Sequence, residues 1–128
     1  MTGGKRYNMK KIVKTTAKIN SALDRLRMER MTGESITDKA MTALNIAGST
    51  DILDLHLYEV DTDDGYIQQA IIVDGDGAHS TSSKVVISLV DELIDIINNG
   101  DANLSDVKLA FSYATSKEGN KYLNATLV

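Results

Sequence analysis

The chain has 128 residues, 42% of them apolar, with a formal net charge of −4, which suits one domain with a real core and not two. It contains no cysteine, which excludes disulfides, thiolate metal sites and thiol catalysis. No run is long and apolar enough to suggest a membrane span or a secretory leader, so a soluble, non-secreted, cytoplasmic protein is expected.

The modest net charge hides a segregation. Residues 1–30 carry nine of the fourteen basic residues and only two acids, whereas residues 51–76 carry eight acids and no Lys or Arg. A basic end on an acidic body suits a polyanion or an acidic partner. It also suits a plain solvated helix.

Residues 1–9 read as an arm, because Gly3-Gly4 precedes any periodicity. From Lys10 to Met31, Ile12, Thr16, Ile19, Leu23 and Leu26 recur at steps of three and four, which predicts one amphipathic basic helix. Gly33 is placed to end it in a left-handed cap. A first strand is expected near Met41 to Ala47. The boundary between this N-terminal segment, residues 1–34, and a body of residues 35–128 falls just after the glycine.

Residues Ile52 to Val60 alternate, with Leu53, Leu55 and Leu57 on one side and Asp54, His56 and Tyr58 on the other. Such alternation predicts a half-buried strand. The run Asp61-Thr62-Asp63-Asp64-Gly65 reads as a hairpin loop. Tyr66 to Val73 follows as the return strand, and Asp74 to Ser83 as a hydroxyl-rich loop. A helix over Ser83 to Asn99 is the clearest element, with Val86, Leu89, Val90, Leu93, Ile96 and Ile97 as its apolar stripe. A closing hairpin places Val107, Leu109, Phe111 and Tyr113 on one inner face and Leu123, Ala125 and Leu127 on the other.

The order is that of a mainly β protein with one core helix. It matches an OB-fold-like five-stranded barrel whose helix lies between the third and fourth strands, here with an N-terminal basic helix added. Small barrels of that kind often bind oligonucleotides on an outer face. If the leucine face is the core, His56, Tyr58, Tyr66, Gln68 and Tyr122 face outward. Exposed rings on adjacent strands form a stacking platform, each base gaining about 1–3 kcal/mol.

Enzymatic readings find little support. Asp74-Gly75-Asp76-Gly77 has the form of an aspartyl-phosphate loop, but that chemistry needs a parallel sheet and further downstream ligands. The aspartates of residues 61–65 lack calcium-loop spacing, since the twelfth position from Asp61 is Ile72. His56 and His79 have no third ligand for a metal. A non-enzyme without cofactor is expected.

The run IIVDGDGAHSTSSK, followed by VDELIDII and TSKEGNKYLNATLV, resembles the single-stranded-DNA-binding proteins of small protein-primed Bacillus phages. The resemblance covers about residues 50–128 and leaves the basic segment outside. It implies a barrel that coats single strands during phage DNA replication, in the host cytoplasm, with replication proteins as possible partners. It implies that Tyr58 and Tyr66 stack bases, with His79 at a further aromatic position. Lys84 and the N-terminal cations are then expected to meet phosphates. The competing reading is a protein-interaction module whose basic helix docks on an acidic partner.

Overall fold

The computed structural model describes residues 10–36, 50–75 and 77–128. In chain order these form β1 (Lys10–Thr15), α1 (Ala22–Glu29), β2 (Glu34–Ser35), β3 (Thr50–Asp51), β4 (Asp54–Thr62) and β5 (Gly65–Asp74). Then come β6 (Gly77–Thr81), α2 (Lys84–Asn98), a single 3-10 turn (Leu104–Asp106), β7 (Lys108–Thr115) and β8 (Lys121–Leu127). The expected strand at Met41 to Ala47 lies outside the described residues.

The described strands make two sheets. One has five strands in the order β1-β4-β5-β6-β2, and the other has three in the order β3-β7-β8. Over the described residues the protein is mainly β with two helices, as its alternation suggests, but these sheets do not close into one barrel. β4 and β5 pair from Asp54↔Val73 to Thr62↔Gly65. Gly65 takes φ 110°, a backbone that glycine enters without a Cβ penalty, and the strand returns directly after Asp63-Asp64.

The main core lies between the sheets. Leu55, Leu57, Ala70 and Ile72 of the large sheet meet Val86, Val90, Leu93 and Ile94 of α2, with Leu109, Phe111, Leu123 and Ala125 of the small sheet closing the other side. α2 is helical where its periodicity predicts, but its buried stripe is rotated. Ile87 and Ile94 are buried, while Ile96 faces outward.

The N-terminal segment departs most from expectation. Lys10 to Met31 is not one helix. Its first six residues form the edge strand β1, antiparallel to β4, and its helix is the eight-residue α1. The pairing explains the switch: an edge strand gains ladder hydrogen bonds with β4 and buries the β-branched Ile12 against it. The helix begins where Ser21 caps it, its Oγ accepting from the Asp24 amide at 3.1 Å. Gly33 is also reassigned. It does not have positive φ; instead, a Cβ there would come within 3.0 Å of the His79 and Ser80 backbone. The glycine lets β2 and its approach lie close against β6.

The segment after β1 covers the side of the large sheet opposite α2. Ile12, Tyr58, Val60 and Ile71 form a second, smaller cluster there, with Ile19, Met28 and Met31 packed against it. β4 is therefore covered on both sides. Alternation of leucine with histidine and tyrosine marks two different buried environments, not core and solvent.

Candidate nucleic-acid interface

Of the two hairpin tyrosines, one is covered and one is open. Tyr58, in mid-β4, is 1% exposed. Its hydroxyl donates to the Met28 carbonyl at 2.7 Å, and the Lys10 ammonium lies 4.3 Å from its ring centroid, within cation–π range. Burial pushes the phenol up to about 12 and pushes the Lys10 amine below its usual range. Lys10 Nζ also donates to the Met31 carbonyl.

His56 is buried beside it. Thr15 Oγ1 lies 2.7 Å from His56 Nδ1 and accepts from the Ala17 amide. Burial is the main reason that its pKa is lowered; the Lys10 charge adds to this and Asp54 opposes it. His79 is also largely buried, on β6 and not in a loop, with Nε2 3.2 Å from Asp74 Oδ1. These three placements correct the sequence reading: the rings of His56, Tyr58 and His79 do not stand in water and present no stacking face in this conformation.

Tyr66 is 74% exposed, but it shares the side of Leu55 and Leu57 and not the opposite side, where the alternation places it. The strand register puts it opposite Asp61 and puts Gln68 opposite Glu59, on the α2 side of the hairpin but beyond the helix's first turn. Tyr66, Ile67, Gln68, Ser82, Lys84 and Ile87 line a cleft of about 490 Å³. A smaller hollow of about 220 Å³ shares Ile67 and Ser82 and adds Ser35, Gln69, Ser80 and Thr81. Together they make a groove with one open ring, amides and hydroxyls along its walls, and a lysine at one end.

The start of α2 supplies the groove's positive side. Ser83 does not cap the helix with its side chain, because its Oγ donates to the Leu123 carbonyl at 2.6 Å. The first turn contains no acid and opens on Lys84. Uncapped first-turn amides carry the positive end of the helix dipole and favour an anion. Opposite them, Glu59 and Asp61 keep the hairpin side negative.

Sequence reasoning thus found Tyr66 and Lys84, and the structure brings them to one cleft. It missed Ile67 and Ser82, although the Gln68-Gln69 interruption and the run Ser80-Thr81-Ser82-Ser83 were visible signals of a polar strip. Tyr122 is partly exposed on β8 but lines neither hollow; only its neighbour Leu123 reaches the start of α2. Among the described residues no group of three or more His, Asp or Glu could hold a metal ion, and no helix is long and apolar enough to cross a membrane. No family model, curated protein or solved structure matches the chain.

Proposed function

We propose that the protein binds single-stranded DNA with little sequence preference, along the groove between the tip of the β4–β5 hairpin and the start of α2, and so coats single strands during replication. The carrying observation is Tyr66, a large ring left 74% exposed beside a cleft that also contains Lys84. A base stacks on the ring. The adjoining phosphate meets Lys84 and the uncapped amides of α2, and Gln68 and Ser82 supply tolerant polar contacts. The hairpin–helix–hairpin order is also the one expected of an oligonucleotide-binding fold. In this reading Tyr58, His56 and His79 support the site from within and do not touch bases.

Stacking without base-edge readout is sequence-tolerant because every base has a π face. One lysine gives a shallow dependence on salt. Fluorescence-anisotropy titration of labelled oligo-dT against a duplex of equal length tests the proposal. The parent is expected to prefer the single strand, and Tyr66→Ala to lose about 1–3 kcal/mol of binding. A Tyr66→Ala variant that binds like the parent, or a parent that prefers duplex, overturns it.

A further inference from the structure

α1 is built outside in. Its eight residues include none that is buried, and its two leucines point away from the sheet, Leu23 at 54% and Leu26 at 46% exposure. Arg27 and Arg30 complete that stripe at helical spacing from Leu23. Arg27 has only an exposed pairing with Asp24 at 3.3 Å, an arrangement worth little in water. α1 therefore presents a mixed apolar and cationic ridge.

The complementary ridge lies on the same chain. The outward stripe of α2 carries Val85, Ser88, Glu92, Asp95 and Ile96, with Val85 43% and Ile96 41% exposed. Beyond Lys84 the helix has no basic residue. Lys14 reaches Asp91 at 2.5 Å and Asp95 at 2.9 Å, so the stripe remains net negative with Glu92 included. The two ridges cannot meet within one molecule, because α1 packs on the side of the large sheet opposite α2.

We infer that the α1 ridge of one copy docks antiparallel on the α2 ridge of a second copy, Leu23 and Leu26 meeting Ile96 while Arg27, one turn on from Leu23, faces Glu92, one turn before Ile96. Charge complementarity favours this occupant. The two surfaces differ, so the contact is heterologous, and surfaces on opposite sides of a protomer extend a row instead of closing a pair. An eight-residue helix buries a small area, which places the contact in the weak class. It gains force when copies are held close together. The inference is independent of the nucleic-acid reading.

Sedimentation velocity on the full chain without DNA, over a concentration series at low and high salt, tests it. The sedimentation coefficient is expected to rise with concentration at low salt and to lose that rise at high salt. Arg27→Glu sets an acid against Glu92 and Glu92→Arg sets a base against Arg27, so each variant alone is expected to stay monomeric. An equimolar mixture of the two restores both contacts, and the rise should return. Leu26→Ser should abolish it without a charge change. A parent that is monomeric throughout, a single variant that associates like the parent, or a mixture that does not recover overturns the inference.

Discussion

Tyr58 and Tyr66 sit on the two arms of one hairpin and have opposite fates. Near the middle of β4 the strand is flanked by β1 and covered by the segment around α1, so the Tyr58 ring is packed, its hydroxyl bonded and a lysine laid over it. At the hairpin tip, on the other side of the sheet, β5 runs past the first turn of α2, and Tyr66 stands open over a cleft. The same residue type serves as structure in one place and as a candidate contact in the other. What separates them is the side of the sheet each faces and how far the elements on that side reach.

That contrast can be broken by mutation. Tyr58→Ala should cost about 3–5 kcal/mol of stability, as large aromatic truncations do in cores, read as a lower urea midpoint, while the molecules that remain folded still bind oligo-dT. Tyr66→Ala should do the reverse, losing about 1–3 kcal/mol of binding with stability changed by less than ~0.5 kcal/mol. If the two variants show the same pattern, the distinction between packed and open rings fails. Tyr58→Phe keeps the ring and removes only the hydroxyl bond to Met28, for about 1 kcal/mol in the same urea titration. Lys84→Ala should reduce the slope of log affinity against log salt by about 1.

A smaller effect sharpens the comparison through pH. Burial holds the His56 pKa below its usual value in the folded state. At pH above about 6.5 the ring is neutral in both states and its contribution is intact. As pH falls through that value the unfolded chain takes up the proton first, and stability declines toward the folded pKa. The urea midpoint should therefore drop between neutral and mildly acidic pH, with a shallower drop in a His56→Gln variant.

Much of this was legible in the chain. The strands β4, β5, β7 and β8 and the helix α2 follow from period and turn chemistry, because each carries its own apolar pattern and is bounded by Asp, Asn, Ser or Gly. The site was half legible. Tyr66 and Lys84 could be named, but not the cover over Tyr58, which depends on β1 adding to the sheet edge. The spacing of Ile12, Thr16, Ile19, Leu23 and Leu26 fits a helix as written. It misleads because Ile12 is claimed by a partner strand far along the chain, while Leu23 and Leu26 turn out to face solvent. Local periodicity does not reveal which segment will find a sheet edge, and Gly33 misled in the same way, being needed for a close backbone approach and not for a turn.

α1 is attached chiefly through its trailing carbonyls: the Met28 oxygen receives the Tyr58 hydroxyl and the Met31 oxygen just beyond receives Lys10. A helix held by two polar tethers and little buried side chain is the kind of unit that opens on its own, well below the free energy of global unfolding. Amide hydrogens of residues 22–30 should then exchange long before those of α2, and limited trypsin should nick α1 at Arg25, Arg27 or Arg30 before it cuts α2 at Lys84.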